Sequence, residues 1–309
     1  MGVVTRIDTA GRREDGIRAA TELASAIAGR RAKVLGCDID RVDLAQTLEF
    51  CEDVIQSRGF AQHMAINVAK LVRMRKDPQL RWGIERCELV TADGQPVVWA
   101  SRLLRDPLPA RVAGIDLMNG LLALAAAKGY RVYILGARPD ILELAVTRIH
   151  AEYPGISLAG HRDGYYGEED EAAVAAAIAA TEPDILFVAM SSPRKEYFLA
   201  RHGRTLGVPF VMGVGGAIDV IAGVTRRAPV VMQRSGFEWL FRLAQEPRRL
   251  GPRYISTNTT FMALLSVEVM RGTVARQRVE ESRREPAIGE RPPARLRRRR
   301  RLRGLSVKA

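Results

Sequence analysis

Three short turns carry residue types suited to holding an anion: Gly136-Ala137-Arg138-Pro139, the run from Ser191 to Glu196, and Gly213-Val214-Gly215-Gly216. Each follows an apolar run and precedes a helical pattern. Glycine lets backbone N–H groups approach a phosphate closely, and the N-terminus of the next helix favours negative charge. Arg194 and Lys195 add fixed positive charge at the second turn. A phosphate cradle and ordinary turn chemistry both account for these glycines. The Gly213–Gly216 run lacks the full G-x-G-x-x-G spacing and an acidic ribose partner, which disfavours a dinucleotide cofactor.

Asp93, in Thr91-Ala92-Asp93-Gly94, stands where a strand pattern stops. An ionised carboxylate there can take the proton of a hydroxyl nucleophile, although Asp-Gly is also a common turn dipeptide. Asp116 and Asp219 read as helix caps or helix-face residues, with the same chemistry open to them. The sequence contains no H-x-x-x-H, H-E-x-x-H or carboxylate cluster, so no metal is expected, and no G-x-S-x-G elbow. His63, His150, His161 and His202 are scattered and read as structural or exposed.

Residues 226–253 hold seven arginines against two glutamates, interleaved with Met232, Phe237, Trp239, Leu240, Phe241 and Leu243. Helical spacing places Gly236, Leu240 and Leu243 on one side and Arg234, Glu238 and Arg242 on another. Three readings stay open: a basic amphipathic helix at a membrane surface, an arginine cluster for a diphosphate, or a solvated helix.

The elements that must position these residues follow from periodicity. Residues 34–35 suggest a short strand, and 43–58 has helical spacing behind a capping Asp43. Residues 63–67 read as a strand leading into a helix over 68–75. Pro78 opens another helix, and 88–91 is a strand. After Pro109 the pattern becomes repeated strand–turn–helix units: strands at 131–135, 156–160, 184–189 and 210–212, helices at 140–152, 168–181, from 194 and up to 221. Strands alternating with helices of this length predict a parallel sheet in a Rossmann-like α/β fold. Helix-rich sequence runs from 230 to 270, with a first helix ending before Pro247.

Composition narrows the function classes. Apolar residues are 47% of 309, which supplies a sizeable core. Three cysteines, Cys37, Cys51 and Cys87, with no C-x-x-C spacing, read as reduced thiols of a cytoplasmic protein. Residues 271–309 hold fourteen Lys/Arg against four Glu, leaving only +3 of the overall +13 to the remaining chain. The basic charge thus describes a tail and gives little support to nucleic-acid binding. Residues 2–29 are interrupted by charges and lack the apolar core of a secretory signal. The longest uncharged runs fall short of the ~18–20 residues of a membrane span, so a membrane role is peripheral.

Taken in order, the motifs resemble a known group. Asp93-Gly94, Arg111-Val112-Ala113-Gly114-Ile115-Asp116-Leu117, Leu135-Gly136, Gly164-Tyr165-Tyr166, Pro193-Arg194-Lys195-Glu196 and Gly213 to Asp219 are followed by Arg227-Ala228-Pro229, Gln233, Gly236, Glu238-Trp239, Arg242-Leu243, Glu246-Pro247 and Arg249. This pattern resembles the WecG/TagA/CpsF family of bacterial glycosyltransferases over roughly residues 36–254.

The resemblance implies an inverting glycosyltransferase that needs no metal or other cofactor. It would move a sugar of N-acetylmannosamine type or a related one, a uronic acid included, from a UDP donor to a polyprenyl-diphosphate-linked glycan in cell-surface polysaccharide synthesis. Asp93 would be the general base. Asn67, Arg111, Asp116, Gly136, Pro193, Arg194, Lys195, Glu196, Gly213, Gly215, Gly216 and Asp219 would bind the donor. Arg227, Gln233, Arg242 and Arg249 would serve a diphosphate or the acceptor. The family's T-x-N reads Ala65-Ile66-Asn67 here, without its hydroxyl, and its P-[KR]-Q-E reads Pro193-Arg194-Lys195-Glu196, a cation replacing an amide.

The implied organisation is a disordered segment 1–31 and an α/β core 32–229, in halves 32–109 and 110–229. A helical Arg-rich appendage 230–270 and a basic disordered tail 271–309 follow. The protein would work peripherally on the inner face of the cell membrane, on its anionic surface, without nucleic acid, and a homo-oligomer is compatible. The competing readings are another α/β nucleotide-binding enzyme and a non-catalytic membrane adaptor.

Overall fold

The computed structural model describes residues 31–284, except the side chains of Arg234, Arg249, Arg253 and residues 274–284. Expectations for residues 1–30 and 285–309 lie outside the described residues. The chain opens with a hairpin, β1 (Arg31–Val34) against β2 (Cys37–Asp40). Its two-residue turn places Leu35 at φ 51° and Gly36 at φ 81°, the paired positive angles that match the twist of the flanking strands. Buried Asp40 ties the hairpin to the body: it accepts from Arg31 Nε at 2.8 Å and from the Val90 N–H at 2.7 Å.

Six parallel strands form the central sheet: β3 (Ala61–Ile66), β4 (Leu89–Ala92), β5 (Arg131–Gly136), β6 (Ser157–Arg162), β7 (Ile185–Ala189) and β8 (Phe210–Gly213). Their order is β4-β3-β8-β7-β5-β6, and every pairing is parallel. The fold is therefore Rossmann-like α/β, as the alternating strand and helix patterns predict. One sheet takes strands from both sides of Pro109. Alternate strand residues point to opposite faces: Val132 and Ile134 enter one buried cluster, Tyr133 and Leu135 another. A parallel sheet covered on both faces reads as continuous apolar sequence, as Ile-Leu-Phe-Val-Ala of β7 does.

The covering helices are α1 (Leu44–Gln56), α2 (Val68–Arg73), α3 (Pro78–Glu85), α4 (Gln95–Leu103), α5 (Gly114–Lys128), α6 (Pro139–Glu152), α7 (Glu171–Ala180), α8 (Arg194–His202) and α9 (Ala217–Ile221). Asp43 caps α1 in a reciprocal box with Gln46, and Asp77 caps α3 ahead of Pro78 at the first helical turn. Helices α1, α5, α6 and α9 share one core cluster with the sheet. The hairpin, α2, α3 and α4 share a second, which also takes Phe261 and Leu265.

Beyond the sheet the chain forms α10 (Val230–Arg234), α11 (Glu238–Gln245) and α12 (Pro247–Arg284). The continuous helix read across residues 234–243 is not formed. Gly236 adopts φ 80°, a left-handed conformation in which its would-be Cβ meets Gln95, and the helix restarts at Glu238. Glu238 and Arg242 still share a face, one turn apart on α11. Two compact units divide after Val269, within the stretch assigned to α12. That helical stretch passes the 270 limit read from the sequence, with no proline to stop it between Pro252 and Pro286.

Candidate active site

The carboxyl ends of β4, β3 and β8 lie side by side, where open parallel sheets receive ligands. Asn67 follows β3 and caps α2, its Oδ1 accepting from the Lys70 N–H at 3.1 Å. Asp93 follows β4, with its own N–H donating to Ile66 O. Its Oδ1 accepts from the Gly114 N–H at 2.9 Å, so the start of α5 holds a half-buried carboxylate in place through one oxygen. The turn Gly213–Gly216 follows β8. Gly215 has φ 52°, and a Cβ on it would stand 3.2 Å from Lys195 Nζ. Gly136, at the end of β5, has φ 122°, and a Cβ there would stand 2.7 Å from Ala189 O.

Beneath this surface three charged side chains are almost wholly buried: Lys70 (7% exposed), Lys195 (8%) and Glu196 (1%). Lys70 Nζ lies 3.1 Å and Lys195 Nζ 3.5 Å from the same Glu196 oxygen. Lys70 also donates to Ala65 O at 2.8 Å, and Lys195 to Met190 O at 3.4 Å. Two ammonium groups on one carboxylate leave the trio with one positive charge in excess. Burial pushes the Glu196 carboxyl up, but Lys70 and Lys195 outweigh it and hold it below its ordinary value. Burial, reinforced by Lys70, pulls the Lys195 ammonium down to about 8 against the attraction of Glu196 and Asp93.

A second cluster joins the body to α11. Arg227 forms a two-pronged pair with Asp116, Nη1 to Oδ1 at 2.6 Å and Nη2 to Oδ2 at 2.8 Å. Arg111 Nη1 meets Glu238 Oε2 at 2.8 Å, and Arg227 Nε lies 3.7 Å from the other Glu238 oxygen. Burial opposes the Arg227 charge, but Asp116 and Glu238 outweigh it and raise its pKa. A cavity of about 380 Å³ adjoins this cluster, lined by Gln95, Arg102, Arg111, Asp116, Val230 and Gln233 among others.

Arg194 donates to the carbonyls of Gly164 (2.8 Å) and Tyr166 (2.6 Å) and lies over the Tyr166 ring, clamping the loop after β6. Pro193 follows a cis peptide bond and precedes α8. Asp219 occupies the first turn of α9, close to Gly216. Gln233 Nε2 donates to Ala228 O at 2.6 Å. Arg242 reaches the Gly216 carbonyl at 3.5 Å. The Arg249 side chain lies outside the described residues. Asn67, Asp93, Lys195, Glu196 and the Gly213–Gly216 turn thus converge, while Arg111 and Arg227 meet Glu238 and Arg227 also holds Asp116.

Sequence reasoning missed Lys70, Gln95 and Arg102. Lys70 carries one usable signal, its position three residues after the cap Asn67, which sets it in the first turn of α2 at the sheet edge. Among the described residues no group of three or more His, Cys, Asp or Glu could hold a metal ion, and no helix is long and apolar enough to cross a membrane.

The family described as glycosyl transferase WecG/TagA/CpsF matches residues 32–275. The chain belongs to this family. Relatives of this chain carry the name N-acetylglucosaminyldiphosphoundecaprenol N-acetyl-beta-D-mannosaminyltransferase. One, from Bacillus spizizenii, is 35% identical over 186 residues, covering 59% of this chain and 72% of the relative. Another, from Staphylococcus aureus strain MW2, is 36% identical over 223 residues, covering 72% of this chain and 87% of the relative. The protein is therefore a glycosyltransferase of the WecG/TagA/CpsF family, and the family match contains every site residue placed above.

Proposed function

We propose that this glycosyltransferase moves an N-acetylmannosamine-type sugar from a UDP donor to a polyprenyl-diphosphate-linked glycan, with inversion at the anomeric carbon. The observation that carries this reading is the meeting of Asp93, the Gly213–Gly216 turn and the buried Lys195 at one sheet edge. Direct displacement needs a base for the acceptor hydroxyl and positive charge for the departing diphosphate. Asp93 is the base. Helix N-termini, Lys195 and the arginines of the Glu238 cluster supply the positive charge, so no metal is required. The names borne by the relatives support the sugar and the lipid-linked acceptor.

A polyprenyl acceptor keeps its chain in the bilayer, so the enzyme must reach the membrane surface. Val231, 77% exposed, with Phe237 and Leu240, supports docking through α10 and α11 on the inner face of the membrane. Trp239 is only half exposed and packs edge-on to Tyr254, which assigns it to the interior side of this segment.

The test is UDP release from UDP-N-acetylmannosamine with a polyprenyl-diphosphate-linked N-acetylglucosamine acceptor. Asp93→Asn should bind UDP but lose about 10²–10⁴-fold in turnover. EDTA should leave the rate unchanged, and anionic liposomes should retain the protein unless Val231 and Leu240 are both serine. Near-normal turnover of Asp93→Asn, or the absence of acceptor-dependent UDP release, refutes the reading.

A further inference from the structure

The buried trio carries more charge than its own members neutralise. Burying an ammonium is costly, and such groups discharge or find a counter-ion. Lys70 is well served, by Glu196 at 3.1 Å and by Ala65 O at 2.8 Å. Among the described residues Lys195 has only the shared carboxylate at 3.5 Å and a long contact to Met190 O at 3.4 Å.

The groups that face its Nζ come from every element around it. Lys70 of α2 repels it, Glu196 of α8 attracts it, and Asp93 at the end of β4 attracts it from across the site. Gly215, in the turn after β8, lies against the ammonium with no side chain to cover it. Arg194, its chain neighbour, is committed to the Gly164 and Tyr166 carbonyls. Asp93 is thus the outer counter-charge of an incompletely paired buried ammonium.

We propose that Lys195 is a catalytic residue whose ammonium holds the β-phosphoryl oxygen of the departing UDP. The assignment rests on the donor reading given above. In the transfer step the acceptor hydroxyl oxygen bonds to the anomeric carbon while the bond from that carbon to the β-phosphoryl oxygen breaks. The breaking pair stays on the phosphoryl oxygen, and the hydroxyl proton passes to Asp93. Lys195 keeps its proton and donates a hydrogen bond to the leaving oxygen. As Asp93 loses its charge, the ammonium's counter-ion becomes the new anion. The positive charge is set in place before the reaction, which is the condition for strong stabilisation of developing charge.

The experiment compares wild type, Lys195→Gln and Lys195→Arg from pH 6 to 10 on a soluble diphosphate-linked acceptor. Wild-type turnover should fall on the alkaline side as Lys195 discharges near pH 8. Lys195→Gln should lose about 10²-fold in kcat, the scale for one preorganised donor, and lack that limb. Lys195→Arg should keep more activity than Lys195→Gln and hold it to higher pH. Melting temperature at pH 7 should not fall in Lys195→Gln, because a buried ammonium has been removed; this separates a chemical role from a structural one.

Unchanged kcat and pH profile in Lys195→Gln overturn the proposal. So does a loss confined to a UDP-hexuronate donor, which would move the ammonium from the leaving group to the sugar. Thermal stabilisation by inorganic diphosphate supplies a readout that needs no turnover. If it depends on Lys195 while no UDP-sugar reacts, the donor reading fails and the anion site stands. If it is equal in wild type and Lys195→Gln, or absent in both, the Lys195 assignment fails.

Discussion

Two clusters of charge flank the site, and they are built to opposite rules. The Lys70–Glu196–Lys195 trio is almost wholly buried, is held by helices packed on the sheet, and carries one uncompensated positive charge. The Arg111–Asp116–Arg227–Glu238 quartet is half exposed, has two acids for two arginines, and links the body to α11. A balanced, accessible cluster serves as a clasp that water and salt can loosen. An unbalanced, buried cluster is a standing electrostatic demand that a ligand can satisfy. Of the arginines that the family resemblance assigns to the donor or to a diphosphate, Arg111 and Arg227 thus already hold carboxylates, and Glu238 meets both. A diphosphate reaching Arg111 and Arg227 must displace that carboxylate, whereas one reaching Lys195 displaces nothing charged.

The largest effect should come from Glu196→Gln. It leaves two buried ammonium groups without their common counter-ion, and breaking such a cluster from one side costs about 3–5 kcal/mol. Urea unfolding at pH 7 measures this. The sign with pH is specific. Lys195 has its pKa lowered in the fold to about 8, so the folded state releases this proton before the unfolded chain does. Stability therefore rises with pH between that value and the ordinary lysine range. The deficit of Glu196→Gln should shrink as pH is raised past 8. A deficit that is small, or unchanged from pH 7 to 9, would mean that the trio is not the charged unit described above.

A smaller effect is expected from Glu238→Gln. Arg227 keeps both contacts to Asp116, and the pair to Arg111 is partly exposed, so global stability should fall by no more than about 1 kcal/mol. The readout that matters is binding. With the carboxylate gone, inorganic diphosphate should bind several-fold tighter, because Arg111 and Arg227 no longer have to release Glu238. Calorimetry that finds equal or weaker binding would confine the quartet to holding α11 in place.

The contrast between the clusters also explains what the sequence made legible. Local chemistry was readable: the Asp43 box with Gln46, the Asp77-Pro78 start of α3 and the apolar run of β7 depend on neighbours within a few residues. Asp93 at a strand end and the Gly213–Gly216 turn are features of the same kind. Helix α5 gave no readable stripe, because Leu117, Met118, Leu121, Leu122 and Ala125 leave little contrast with an Ala-rich remainder. The α10–α11 segment reads in the sequence as one continuous helix, because only tertiary packing shows that Gly236 meets Gln95 and breaks it. Lys70 and Glu196 are far apart in sequence and meet only through the β4-β3-β8-β7-β5-β6 order. Strand order is non-local, and no single segment carries it.

The smallest effect, and the sharpest test of the comparison, is its response to salt. Electrostatic screening reaches about 10 Å at 0.1 M and about 3 Å at 1 M ionic strength, and it acts on exposed pairs far more than on buried ones. The quartet's side chains are between 15 and 32% exposed, so ions can enter around Arg111, Asp116, Arg227 and Glu238. The trio admits almost none, at 10% or less for each side chain. Raising NaCl from 0.1 to 1 M should therefore bring the stabilities of wild type and Glu238→Gln together, a change of a few tenths of a kcal/mol on the scale of exposed pairs. The gap between wild type and Glu196→Gln should hold across the same range. Convergence of both gaps would mean that water and ions reach the trio as freely as the quartet, and the distinction between the two clusters would then rest on composition alone. Persistence of both would mean that Glu238 is sealed on binding to Arg111 and Arg227, making the clasp a permanent part of the core.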